Sequence, residues 1–91
     1  MKIIANTDLR LKNMPDRKLI EYSFKHTDLR RALFSASKLG NCEFKNTRLD
    51  CIAIQNARLD NCFFQEAHLT GIDASNTSFN DCRIIRTNAA G

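Results

Sequence analysis

Written in fives from Thr27 to Glu66, the chain reads TDLRR, ALFSA, SKLGN, CEFKN, TRLDC, IAIQN, ARLDN, CFFQE. The third letter of every block is Leu, Phe or Ile. The first letter is Thr, Ala, Ser or Cys in all but the block that opens on Ile52. The remaining letters are mostly polar. An amphipathic helix repeats its apolar residues at three and four, and a half-buried strand at two. Five fits neither. Five residues of helix turn the chain by about 500°, leaving successive Leu/Phe roughly 140° apart. On a flat strand an odd step sends successive side chains to opposite faces.

The period runs well beyond this stretch. Steps of five from Leu9 give Leu9, Met14, Leu19, Phe24, Leu29, Phe34, Leu39, Phe44, Leu49, Ile54, Leu59, Phe64, Leu69, Ala74, Phe79, Ile84 and Ala89. All seventeen are apolar and fifteen are large. The ten from Phe24 to Leu69 are the predicted core. A chain that turns a right-angle corner every five residues sends each of these side chains to one axis. The residue two earlier also points inward, where only a compact side chain fits. Four walls of five residues make a coil of twenty, and that coarser period is visible. Asn41-Cys42, Asn61-Cys62 and Asp81-Cys82 recur at this spacing, as do Phe24, Phe44 and Phe64. Residues twenty apart are expected to stack about 4.8 Å from each other. The chain then forms just over four coils, a rod roughly 20 Å long.

A chain made of turns with 3 Gly and 1 Pro needs another turn chemistry. The position two after each large residue is rich in Asn: Asn41, Asn46, Asn56, Asn61 and Asn76. Asn tolerates the left-handed conformation and bonds its own turn. Asn41/Asn61 and Asn56/Asn76 are expected to stack as amide ladders.

The triplets Thr7-Asp8-Leu9, Thr27-Asp28-Leu29, Thr47-Arg48-Leu49, Ala57-Arg58-Leu59 and Ala67-His68-Leu69 resemble the A-(D/N)-L-x-x repeat of the pentapeptide-repeat family. The resemblance is most secure over residues 22–89. It implies an all-β fold, a right-handed quadrilateral β-helix. The Asp/Asn before the large residue is often Arg, His, Lys or Ser here, at a position that faces outward. The resemblance also brings a function, because some members shield type II topoisomerases by imitating the DNA duplex. That role needs an acidic rod. This chain carries a net charge of +4 and a pI of about 9.1. Residues 1–48 hold 11 Lys/Arg against 5 Asp/Glu, and residues 49–91 hold 3 against 5. The charge disfavours DNA mimicry. Direct nucleic-acid binding would use Lys18, Lys25, Arg30, Arg31, Lys38, Lys45 and Arg48. By register these spread over several walls with no aromatic stacking platform, so nucleic acid is not the expected partner.

Two places interrupt the pattern. Lys12 and Arg17 fall at the small inward position, with Pro15 between them, and neither charge belongs in an apolar interior. Residues 1–21 are therefore expected to form an N-terminal cap and irregular first coil, with a loop or distortion over 11–20. Residues 22–91 form the β-helix, and the whole is one domain. At the other end the sequence stops in register. The last coil should leave Phe79, Ile84 and Ala89 on an open face, with Phe64, Leu69 and Ala74 near its rim. This predicts a two-fold, end-to-end homodimer, or else one segment of a longer solenoid.

Catalytic chemistry is not indicated. Cys42, Cys62 and Cys82 form one inward column that points three thiols the same way, unlike a tetrahedral metal site. They read as small buried hydrophobes, with Cys51 apart from them at a corner. His26 and His68 lie on different coils with no nucleophile placed beside them. No phosphate-binding glycine loop occurs. No enzyme activity, metal or cofactor is expected. No stretch approaches the roughly 20 apolar residues of a membrane span, so no membrane partner is expected. The N-terminus lacks the apolar region of a signal peptide. The expected compartment is the cytosol, with secretion without a cleaved signal left open. The remaining lead is exposed apolarity. Leu33, Phe63 and Ile85 are outward by register, and Phe63 and Ile85 share a side with Arg83 and Arg86. These last four are the candidate interaction patch. The expected function is a non-enzymatic protein–protein interaction module whose partner, apart from a second copy, is unidentified.

Overall fold

Positive φ recurs at every fifth residue. Each corner from Asn6 to Arg86 has φ between 47° and 69°. Six of these corners are Asn, two are Asp and one is Gly71, but Leu11, Glu21, Arg31, Ala36 and Cys51 also adopt the conformation. An L-residue with a Cβ pays roughly 1–2 kcal/mol there. Several corners close with a hydrogen bond three residues long. The amides of Ala32, Ile52 and Thr77 donate to the carbonyls of Leu29, Leu49 and Ala74, each at 3.1 Å. With the left-handed residue third, this is the pattern of a type II turn.

A computed structural model describes residues 2–87, and between the corners it places short parallel strands. One wall stacks β1 (Lys2–Ala5), β3 (Tyr22–Lys25), β5 (Glu43–Lys45), β7 (Phe63–Gln65) and β9 (Arg83–Ile85). The adjacent wall stacks β2 (Lys18–Ile20), β4 (Lys38–Gly40), β6 (Arg58–Asp60) and β8 (Ser78–Asn80). The register is twenty throughout, with Phe24 beside Phe44, Phe44 beside Phe64, and Phe64 beside Ile84. Single bridges hold the other two walls. Asp8, Asp28, Arg48 and His68 form one series; Asn13, Leu33, Ala53 and Asp73 form the other. The result is a right-handed four-walled β-helix of about four coils, with no helix among the described residues.

The axis is filled from all four walls. The residues from Phe24 to Leu69 at the large position are buried, each 6% exposed or less. Phe24, Phe44 and Phe64 stack with ring centroids 5.0 and 4.8 Å apart and planes within 6° of parallel. The small inward register does more than save space. Thr27 Oγ1 donates to the Ile4 carbonyl at 3.2 Å, Ser37 Oγ to Met14 at 3.3 Å, and Thr87 Oγ1 to Phe64 at 3.4 Å. Thr77 Oγ1 donates likewise to Ile54. Cys42, Cys62 and Cys82 direct Sγ to the carbonyls of Leu19, Leu39 and Leu59. Each bond reaches back 23 residues to a large residue of the coil below. Ser, Thr and Cys are therefore hooks between coils, and a buried hydroxyl so paired carries no desolvation penalty. Thr47 is the exception: its Oγ1 is buried without a partner.

The first coil departs from the irregularity expected over 1–21. Leu11, Asp16 and Glu21 turn as the other corners do. Asn13 bridges Leu33, and β2 pairs with β4 in register. Pro15 removes no ladder bond, because that column is joined through corner amides, Asp16 to the Ser35 carbonyl at 2.9 Å and Ala36 to Gln55 at 2.8 Å. Lys12 and Arg17 keep the inward register yet are exposed. No described coil lies beneath them, so their charges reach solvent. The segment is thus a regular coil in register with the next. The amide ladders differ too. Among the described residues the corner Asn side chains make no hydrogen bond to one another. Side-chain bonds between coils join wall residues instead, Ser35 to Gln55 and Asn80 to Asp60, each at 2.9 Å.

Three substitutions test this account. Ala36→Gly relieves a Cβ at φ 60° and should raise stability by about 0.5–1 kcal/mol, after the glycine's own entropic cost. Thr47→Val removes an unpaired hydroxyl at constant shape and should gain about 1 kcal/mol, while Thr27→Val should lose a similar amount. Urea midpoints of the three variants check both.

Candidate interaction surfaces: two walls and two ends

The outward faces carry most of the charge, and much of it is internally paired. In an extended segment, residues two apart share a face. Arg10 therefore meets Asp8 at 2.7 Å, Arg30 meets Asp28 at 2.6 Å, Arg48 meets Asp50 at 2.8 Å and Arg58 meets Asp60 at 3.0 Å. Hydrogen bonds from the Arg10 side chain and backbone hold the Asp8 carboxyl down at about 2. The Arg30 guanidinium likewise lowers Asp28. An open depression of about 470 Å³ lies over Asp8, Arg10, Leu11, Arg30 and Arg31. Two of its three arginines are already committed to carboxylates. Cations also align along the walls. Lys18, Lys38 and Arg58 stand in one column, and Lys25 and Lys45 in another. The basic residues thus form short stripes on different walls.

The four residues of the predicted patch do come together. Arg83 pairs with Phe63 across β7 and β9, and its guanidinium lies 5.9 Å from the ring centre. Ile85 stands beside Gln65 on the same wall, half-buried like Phe63. Arg86 occupies the next corner and reaches Glu66 at 3.5 Å. Both arginines therefore find partners within the chain. Leu33, 42% exposed, sits on a different wall. Ile3 and Leu11 are more exposed still, at 65% and 70%, and both were overlooked at the sequence level. The signal was available. Ile3 precedes the inward Ile4, and Leu11 is the corner after Leu9.

The two ends differ in chemistry. On the C-terminal coil Phe79 and Ile84 are exposed, at 41% and 52%. Ile72, Ala74, Thr77, Cys82 and Thr87 are partly exposed around them. No inward position of this coil is charged. Phe64 and Leu69 do not reach the rim as expected, because the last coil covers them to 3% and 6%. Ala89 lies outside the described residues. Since β9 carries both Ile84 and the patch residues Arg83 and Ile85, wall and end meet at one strand. On the N-terminal coil Ile4, Leu9, Met14 and Leu19 are half-buried. Lys2, Lys12 and Arg17 stand among them, and Lys2 Nζ lies over the Tyr22 ring, 5.2 Å from its centre.

The cysteines and histidines form no reactive group. Cys42 and Cys62 are buried, and Cys82 is partly exposed. The neighbouring Cys42 thiol, together with burial, pushes the Cys62 thiol up. Among the described residues no cluster of His, Cys, Asp and Glu could hold a metal. Cys51 is exposed at its corner beside Gly71, where an added Cβ would come within 3.3 Å of its Sγ. His26 occupies a corner and His68 a different wall.

Solved structures share this architecture. QnrB1, a plasmid-mediated fluoroquinolone resistance protein, superposes with a TM-score of 0.62 at 15% identity over 94% of this chain. A pentapeptide repeat protein of the Arabidopsis thaliana thylakoid lumen superposes with a TM-score of 0.55 at 29% identity over 84%. The chain spans 52% of the first structure and 60% of the second. No curated protein matches its sequence. The sequence model of the pentapeptide repeats matches residues 27–64 and 54–88 with 8 copies, and the chain belongs to the pentapeptide-repeat family.

Proposed function

We propose that this chain is a non-enzymatic protein–protein interaction module, a rigid β-helical rod that pairs with a second copy through its C-terminal coil. The exposure of Phe79 and Ile84 at the inward register carries this reading. In interior coils the same positions are covered by the next coil. Here they lie beside the outer edges of β8 and β9, the last strands of their walls among the described residues. Parallel strands with unpaired outer groups are templates for further pairing. A two-fold arrangement closes after one contact and covers both faces at once. Phe63, Arg83, Ile85 and Arg86, continuous with β9, would form its rim.

The rod's outward chemistry does not favour the other roles weighed. A duplex mimic must offer a basic saddle a run of acidic side chains. These walls instead present the Lys18–Lys38–Arg58 and Lys25–Lys45 columns. Nucleic-acid binding would need arginines free for phosphate. Arg10, Arg30, Arg48 and Arg58 are engaged by aspartates.

Sedimentation of the intact chain at micromolar concentration tests the proposal. The expected mass is twice the 10.4 kDa of one chain. Ile84→Glu, at a position already half-exposed, should weaken pairing at least about tenfold while leaving the far-ultraviolet circular dichroism unchanged, because a buried unpaired carboxylate is costly. A wild-type monomer would sink the proposal.

A further inference from the structure

The side chains of the four walls do not quite meet on the axis. A void of about 30 Å³ remains there, and only Phe, Leu and Ile line it, among them Phe34, Phe44, Ile52, Ile54, Leu59 and Leu69. These six are all buried. The space has an origin in the sequence. Large residues ten apart stand on opposite walls, so Phe24 opposes Phe34, Phe44 opposes Ile54, and Phe64 opposes Ala74. One column keeps its rings, stacked at 5.0 and 4.8 Å. The opposite column loses volume at each step. Ile52 and Ile72 return part of it from the small register, where the coil below has Ala32. The square cannot shrink to take up the rest, because left-handed corners and the ladder register fix its walls.

Water has no reason to enter. A buried water makes about 3 hydrogen bonds, and this void offers it no polar surface. The nearest hydroxyls and thiols of the small register are already turned to carbonyls of the coil below, Ser37 to Met14, Cys42 to Leu19 and Cys62 to Leu39. Apolar voids stay dry and take apolar guests. The lining atoms lack neighbours on one side, and a guest restores those dispersion contacts. At about 30 Å³ the space is at least roughly twice what one water needs, which suits a guest of two atoms.

We propose that the axis of this β-helix is a binding site for a diatomic apolar gas, dioxygen in particular. The site is independent of the pairing proposed above, because the residues that shape it lie in interior coils and point inward. Selection is by size and by the absence of polarity, since no side chain there can donate or accept a hydrogen bond.

Dioxygen is paramagnetic and speeds the relaxation of methyl protons that it touches. Nuclear magnetic resonance of the intact chain under dioxygen, with dinitrogen at equal pressure as the reference, tests the site. The methyls of Ile52, Ile54 and Leu59 should show an enhancement at least about twofold larger than those of Ile3 and Leu11, which are 65% and 70% exposed. Ile54→Val widens the void by one methyl and should raise the enhancement at Ile52 and Leu59. Ile54→Phe, which repeats the ring of Phe34, should fill it and lower the enhancement there. If that variant overpacks and fails to fold, Ile54→Val carries the comparison. Enhancement that simply follows exposure, strongest at Ile3 and Leu11 and weak in the core, would overturn the site. So would a core enhancement that Ile54→Val leaves unchanged.

Discussion

The left-handed corner at every fifth residue is the constraint on which the remaining structure depends. It bends the chain through a right angle, so that every wall presents one large side chain to the axis. It also sets the twenty-residue register that stacks Phe24, Phe44 and Phe64 at ring separations of 5.0 and 4.8 Å. Asn, Asp and Gly take the corner at modest cost, yet Leu11, Arg31, Ala36 and Cys51 take it as well. Each of those costs roughly 1–2 kcal/mol. Ladder bonds and core burial in the coils above and below must offset it, which is possible only in a solenoid where neighbours share one geometry.

The inward hooks complete this arrangement. A square interior with one large residue per wall leaves room near each corner for a compact side chain. A hydroxyl or thiol there faces the carbonyl of a large residue one coil below, 23 positions back. Cohesion between coils therefore combines apolar stacking on the axis with polar hooks beside it. Both kinds end where the coils end. Ile4, Leu9, Met14 and Leu19 at one end, and Phe79 and Ile84 at the other, are less covered than their column mates. The first and last described coils are thus the least covered.

Much of this was legible in the residues. The large and small registers, the wall count and the identity of the buried columns follow from the spacing of Leu, Phe and small residues alone. What misled was local composition. Lys12, Arg17 and Pro15 suggested a broken first coil, because a charge at an inward position is forbidden in the interior. At an end it is tolerated, and the period by itself does not distinguish end from interior. The Asn corners likewise suggested amide ladders, but left-handed corner geometry is set by φ, and the inter-coil side-chain bonds fell to Ser35, Gln55, Asp60 and Asn80. The patch of Phe63, Arg83, Ile85 and Arg86 could be placed on one side by register. Its cation–π contact and the Arg86–Glu66 pair could not, since rotamers are not written in a period.

The central claim is the proposed pairing of two copies through the C-terminal coil. Amide hydrogen exchange of the intact chain at two concentrations measures this directly, because association protects the edge it covers. The account predicts that raising the concentration slows exchange in residues 72–87 and leaves residues 2–20 unchanged. Protection that grows at the N-terminal coil, or at neither end, would contradict it.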